Sequence, residues 1–176
     1  MPAADTLASL FDATFSARYA VRMRGGATEP VYLPALAQQP AQLVYTHDYP
    51  ASVLHEAAHW CLAGTERRRC VDFDFVYVPT GARSAQDQAA FEAAEVRTQA
   101  IEWRLALAAG VAFRLSVDSI GRDRRPFQAL VVQEVQRRMR EGWPPRVQRF
   151  AAVLADALGG VAEPDWTDFA KGLADV

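Results

Sequence analysis

The chain has 176 residues, 51% of them hydrophobic and 23% charged. It is long enough for one domain with a continuous core, and too apolar for a disordered protein. Its formal net charge of −2 at pH 7 argues against a protein that wraps nucleic acid. The sequence has no signal-peptide pattern and no run of about 18 apolar residues, so we expect a cytoplasmic protein without a membrane partner. The two cysteines, Cys61 and Cys70, give no disulfide framework and suit reduced thiols.

The first 46 residues predict one helix followed by two short strands. Apolar residues recur at helical spacing near the N-terminus, with Asp5 or Thr6 as the candidate cap, and Gly25-Gly26 is expected to end this unit. Residues 30–33 and 43–46 are rich in β-branched and aromatic side chains and are separated by prolines, which predicts two extended pieces.

A second helix-and-strand unit follows. After Pro50 the sequence predicts a helix with Ser52 as its cap and Gly64 as its stop. Apolar residues then alternate along residues 71–78, which predicts another strand, and residues 79–81 predict the turn that closes it.

Three further helices are expected in the remaining chain. Ser84 opens the longest, with Asp87 three residues later in the arrangement of a capping box, and Gly110 ends it. Residues 127–141 and 146–158 predict two more, each followed by glycine.

These elements predict an α+β fold: a single domain over residues 1–176, mainly helical, with a small sheet of three or four short strands. Residues 1–4 and roughly 160–176 are expected to be peripheral. Trp166, Phe169 and Leu173 nevertheless predict that the tail packs back on the body.

Residues 55–59, which read HEAAH, carry the strongest chemical signal. Residues four apart lie one turn apart on the same face of a helix, so His55 and His59 can bind one metal ion from the same side. Glu56 lies about 100° around the helix, where it can reach a metal-bound water without being a ligand. Two of the chain's three histidines fall here, on an apolar helix where an unpaired histidine is costly to bury. This favours a metal site over two surface histidines that match the pattern by chance.

A catalytic metal ion usually takes three protein ligands, so a third is needed. The next predicted helix carries polar residues at offsets of 3, 4 and 3, namely Glu92, Glu95, Gln99 and Glu102. This stripe is either a solvated face or a face turned towards the histidines. We predict Glu95 as the third ligand, with Glu92 and Gln99 orienting ligands. His47 could line the pocket entrance, although loop histidines of this kind more often have no functional role.

Several segments resemble the elongation factor P hydroxylases of bacteria, and together they span most of residues 5–155. They are residues 29–34 (EPVYLP), 51–64 (ASVLHEAAHWCLAG), 71–73 (VDF), 91–96 (FEAAEV) and 99–103 (QAIEW). The resemblance implies a cytoplasmic enzyme that hydroxylates a lysine of elongation factor P after a β-lysyl group has been added to it, as the last step of that modification. It also implies that His55, His59 and Glu95 bind the metal ion.

The ligand set alone leaves the reaction open. Two histidines and one carboxylate are the ligands of non-haem Fe(II) oxygenases. With Glu56 as general base, the same set describes a zinc peptidase. The resemblance favours the oxygenase. It implies one divalent metal ion, which is Fe(II) in the active enzyme and which Zn or Mn could replace in a crystal. Glu56 would then be a catalytic proton shuttle or an orienting group. A third hypothesis is a non-catalytic interaction domain in which the metal ion only joins helices.

The resemblance makes elongation factor P the protein partner, and by the same resemblance that partner is folded and acidic. Arg67, Arg68 and Arg69 follow the histidine helix directly and are the best candidates for docking it. Arginines of residues 137–149 offer a second basic face, which we regard as an ordinary solvated helix face.

Overall fold

Six helices and a three-stranded sheet form the part of the chain that the computed structural model describes, residues 1–74, 82–116 and 124–173. The helices are α1 (Ala4–Tyr19), α2 (Pro50–Leu62), α3 (Ala85–Ala109), α4 (Arg125–Glu141), α5 (Pro145–Leu158) and α6 (Trp166–Leu173). The strands are β1 (Val21–Ala27), β2 (Val31–Leu33) and β3 (Ala41–Thr46). The prediction of a mainly helical α+β domain with a small sheet is confirmed.

The sheet has the order β1-β3-β2, with β1 parallel and β2 antiparallel to the central strand β3. Strand β1 was not predicted, and the expectation that Gly25-Gly26 ends the first helical unit is wrong. Helix α1 ends at Tyr19 because Ala20 turns into the left-handed region at a φ of 47° and donates its N–H to the carbonyl of Ser16. The two glycines lie inside β1, where the register with β3 shifts between Arg24 and Ala27.

One continuous core joins the sheet and the helices. At its centre the rings of Phe11 and Phe15 on α1 contact both Trp60 of α2 and Phe150 of α5. The centroid of the Trp60 ring lies 5.2 Å from that of Phe11 and 4.8 Å from that of Phe15. Because Trp60 is fully buried, this face of α2 is anchored in the core and the opposite face is turned towards α3.

The two ends of α2 are defined by different means. Tyr49 occupies the N-cap position and Pro50 begins the helix, so Ser52 lies inside the helix and the prediction that it caps is wrong. At the other end, Arg146 donates to the carbonyl of Cys61 at 2.9 Å, and Arg68 donates to that of Ala63 at 2.7 Å. These guanidinium groups satisfy carbonyls that a helix C-terminus leaves without partners.

The prediction of a strand at residues 71–78 is wrong for its first four residues. Val71–Asp74 form a short 3-10 turn in which Asp72 and Phe73 have positive φ angles of 48° and 57°. The Asp72 carboxylate accepts a hydrogen bond from the backbone N–H of Tyr32 at 2.8 Å, and the Phe73 ring stacks on the Tyr32 ring at 4.2 Å. These contacts cover the edge of β2 instead of extending the sheet. Residues 75–78 lie outside the described residues.

The capping box predicted for α3 is confirmed. Ser84 accepts from the backbone N–H of Asp87, whose carboxylate accepts from the backbone N–H of Ser84. Gly110 ends the helix at a φ of 65°. In the tail, the Phe169 ring is buried, and its centroid lies 5.4 Å from that of Trp103. The tail thus packs back on the body there, as predicted; the side chain of Leu173 is not among those the structure describes. Among the described residues no helix combines the length and the apolar character that a membrane span requires.

The two cysteines are expected to differ in reactivity. Burial raises the pKa of the Cys61 thiol to about 12, although Arg146 and Arg68 oppose this shift, whereas Cys70 is partly exposed. Since the thiolate is the reactive form, Cys61 should react far more slowly at pH 8. We expect Ellman's reagent to modify one thiol rapidly in the folded protein and two in denaturant. Loss of the fast phase in Cys61→Ser, and not in Cys70→Ser, would contradict this assignment.

Candidate metal centre

Four polar residues of α3 are buried where α3 packs against α2. The exposed fractions are 9% for Glu95, 2% for Thr98, 1% for Gln99 and 6% for Glu102. They occupy positions i, i+3, i+4 and i+7, which lie on one face of a helix. The alternative that the polar stripe is a solvated face is therefore wrong for Glu95, Gln99 and Glu102, whereas Glu92 is half-buried.

The structure brings together the three residues that the sequence predicted as ligands. The Nε2 atoms of His55 and His59 lie 3.1 Å apart, and Glu95 Oε1 lies 3.3 Å from the His59 Nε2 atom. One ligand atom from each residue lies within 4.8 Å of the other two. Two metal–ligand bonds of about 2.1 Å at tetrahedral or octahedral angles span roughly 3.0–3.4 Å, so these donors could hold one metal ion with little movement.

The second nitrogen of each imidazole contacts α3. Glu102 Oε2 lies 2.8 Å from Nδ1 of His55, and Thr98 Oγ1 lies 3.3 Å from Nδ1 of His59. Both Nδ1 atoms are thus engaged, which turns both Nε2 atoms towards Glu95. Metal-binding histidines commonly have such a partner on the nitrogen that does not bind the ion.

Gln99 fixes the carboxylate of Glu95. Its side-chain amide donates to Glu95 Oε2 at 3.2 Å and to the carbonyl of Ser116 at 2.6 Å. Its amide oxygen accepts from the backbone N–H of Ser116 at 3.0 Å. Gln99 therefore lies where the sequence analysis expected an orienting residue.

The carboxylates and imidazoles of this cluster stabilise each other's charged forms. Burial opposes the protonated form of His55, but the carboxylates of Glu102, Glu95 and Glu56 outweigh it and raise the pKa of His55 to about 10. Burial also opposes ionisation of Glu95, but its hydrogen bond with His59 and the charge on His55 outweigh this and lower the pKa of Glu95 to about 2. At neutral pH the metal-free site thus combines an ionised carboxylate with a protonated imidazole.

Glu56 lies on α2 beside His55 and is not one of the converging donors in the described residues. Burial raises its pKa, although the neighbouring His59 and His55 act in the opposite direction. A carboxyl group with a raised pKa can hold and release a proton closer to neutral pH than an exposed one.

The other predicted residues lie apart from the cluster. Glu92 accepts from Gln88 at 2.7 Å, one turn before Glu95. A small cavity of about 30 Å³ adjoins Glu95. It is lined by Gln88, Phe91, Glu92, Glu95, Gln99, Ser116 and Phe127. His47 is exposed in the turn after β3, at a φ of 53°.

No role was predicted for Thr98 or Glu102. They follow Glu95 by three and seven residues on the same face of α3, so the choice of Glu95 as a ligand already implied that they face α2. The helical spacing was the signal that could have identified them.

Two imidazoles and one carboxylate that converge between two helices define a candidate mononuclear metal centre. The chain belongs to the elongation factor P hydroxylase family, whose sequence model matches residues 10–165. The elongation factor P lysine hydroxylase of Haemophilus influenzae is 37% identical over 154 residues, which cover 85% of this chain and 86% of that protein. The resemblance noted in the sequence is thereby confirmed.

Metal binding is expected to release a proton. The pKa of about 10 places a proton on His55 at pH 7, and an ion that binds Nε2 must displace it. We expect about one proton released per ion at pH 7, with affinity rising as the pH approaches the pKa of His55. Calorimetric titration with Zn(II) in buffers of different ionisation enthalpy measures this number. Binding that is independent of pH between 6 and 9 would contradict it.

Proposed function

We propose that this chain hydroxylates a lysine side chain of elongation factor P, in the cytoplasm, on the lysine that already carries a β-lysyl group. The observation that carries the proposal is the convergence of His55, His59 and Glu95 in a member of the elongation factor P hydroxylase family. The named function of the Haemophilus influenzae relative supports the same substrate.

We propose that His55, His59 and Glu95 hold one divalent ion, with Fe(II) as the active one. This donor set suits the ion because two neutral imidazoles and one carboxylate leave coordination positions open. When bound there, Fe(II) would supply redox chemistry with O2. One oxygen atom goes to the lysine carbon and the other leaves as water, which takes two electrons and two protons from a reductant.

The chain's own residues prepare the site for this chemistry. The contacts at both Nδ1 atoms hold the imidazoles in place, and Gln99 holds the carboxylate of Glu95. We propose that Glu56, with its raised pKa, holds a proton beside the site and passes it on during turnover.

Docking of the substrate protein is proposed at the C-terminal end of α2. Arg67 and Arg69 are exposed there, and Arg69 also pairs with the exposed Glu66 at 3.1 Å, while Arg68 is turned inward to the carbonyl of Ala63. Arg137 and Arg138 on α4 are paired with Glu134, at 2.7 and 2.9 Å, so that face is less suited to an acidic partner.

The proposed reaction predicts oxygen transfer from O2 to the lysine. Elongation factor P that carries the β-lysyl group is incubated with the Fe(II)-loaded protein, a reductant and isotopically labelled O2. We expect mass spectrometry to find one labelled oxygen atom on the lysine side chain. His59→Ala should lose the metal ion and the activity, because it removes one of three ligands. His47→Ala, the matched change at an exposed histidine, should keep both. Full metal occupancy in His59→Ala would contradict the proposed ligand set.

Glu56 separates hydroxylation from hydrolysis. In a zinc peptidase this residue would activate water, and its loss would cost about 10²–10⁴-fold or more in rate. In the proposed hydroxylase there is no hydrolytic water, so Glu56→Gln should bind metal normally and retain part of the labelled oxygen transfer. Cleavage of a protein backbone that does not need O2 and that Glu56→Gln abolishes would favour the peptidase instead.

A further inference from the structure

The two histidines differ in what lies against Nδ1. His55 faces the carboxylate of Glu102 at 2.8 Å, whereas His59 faces the hydroxyl of Thr98 at 3.3 Å. At Nδ1, therefore, only His55 has a charge-assisted hydrogen bond, which is the shorter and stronger kind. A metal site with these three ligands does not by itself require the two histidines to have different partners at Nδ1.

Both partners are held in place by α3. They lie on the same face as Glu95, and both are almost completely buried in the packing between α2 and α3. Thr98 also donates its hydroxyl hydrogen to the carbonyl of Ala94 at 3.2 Å. Its oxygen is then free to accept a hydrogen bond from Nδ1 of His59, so both imidazoles carry a hydrogen on Nδ1.

We propose that Glu102 is the positioning residue of the metal centre and acts through His55. An ionised carboxylate has only acceptors, so the hydrogen in its contact with His55 lies on Nδ1. In the metal-bound state Nε2 then presents its lone pair to the ion. The hydrogen bond also fixes the orientation of the ring and makes Nε2 a stronger electron donor.

Thr98 does the same for His59 without a charge. The structure thus assigns unequal support to the two imidazoles, with His55 as the stronger donor and Glu102 as the reason. The proposal rests on the proposed function only in requiring an ion at His55, His59 and Glu95. It requires nothing about the protein substrate or O2.

The test is the affinity for Co(II), measured by competition with a chelator in the metal-free protein without elongation factor P. Glu102→Met keeps the size of the side chain and removes both acceptors, so we expect Co(II) binding to weaken by about 10–100-fold. Glu102→Gln keeps one acceptor in the same place and removes the charge, so we expect it to recover part of the loss. Thr98→Val should weaken binding less than Glu102→Met.

Glu92→Gln is the matched control, because it makes the same charge change on the same helix one turn before Glu95. We expect a smaller effect on affinity than in Glu102→Gln. The visible absorption spectrum of bound Co(II) is the second readout. A change in the orientation of the His55 ring should shift the absorption bands of bound Co(II). A general loss of protein stability should not shift them. Circular dichroism of the metal-free variants shows whether they fold, and Glu102→Gln carries the test if the Met variant does not.

Wild-type affinity and spectrum in a folded Glu102→Met would overturn the proposal. So would a loss in Glu92→Gln as large as that in Glu102→Gln. A wild-type protein that does not bind Co(II) would overturn the metal centre and this proposal together. Normal Co(II) binding with no hydroxylation of elongation factor P would overturn the proposed function and leave the role of Glu102 in place.

Discussion

Polar side chains buried between two helices must find partners there, and the packing of α2 against α3 meets this constraint with one connected set of contacts. His55 and His59 on one helix meet Glu95, Thr98 and Glu102 on the other. Leaving a charge or an imidazole without a partner costs several times more free energy inside the protein than at its surface. Each member of the set therefore depends on the others. The same contacts that satisfy these groups also bring together three atoms that could bind one metal ion.

The remainder of the fold holds this helix pair in register. Trp60 anchors the back of α2 against the aromatic rings of α1, and arginines from outside the helix bind the carbonyls at its C-terminal end. On α3, the capping box at Ser84 defines the start, and the buried second half defines the rotation of the helix. A site built on two such helices is placed more accurately than one built on loops.

The parts of the structure that could be predicted from the sequence are those determined locally. Helical spacing placed His55 and His59 on one face, and the capping box and Gly110 fixed the length of α3. Prediction failed where distant contacts decide the conformation. Asp72 adopts a left-handed φ because its carboxylate binds the backbone of Tyr32, forty residues earlier, and the alternating pattern around it gives no sign of this. For Glu102, spacing gave the correct face, but only the tertiary structure shows that it meets His55.

We expect α2 and α3 to supply three protein ligands to one ion and to leave its other coordination positions open. A crystal structure of the Fe(II)-loaded protein under anaerobic conditions, with anomalous scattering at the iron edge, tests it directly. We predict one iron site bound by Nε2 of His55, Nε2 of His59 and the carboxylate of Glu95, at about 2.0–2.2 Å, with Glu102 hydrogen-bonded to His55 outside the ligand set. Iron at another place, or a closed shell with a fourth protein ligand, would contradict this account.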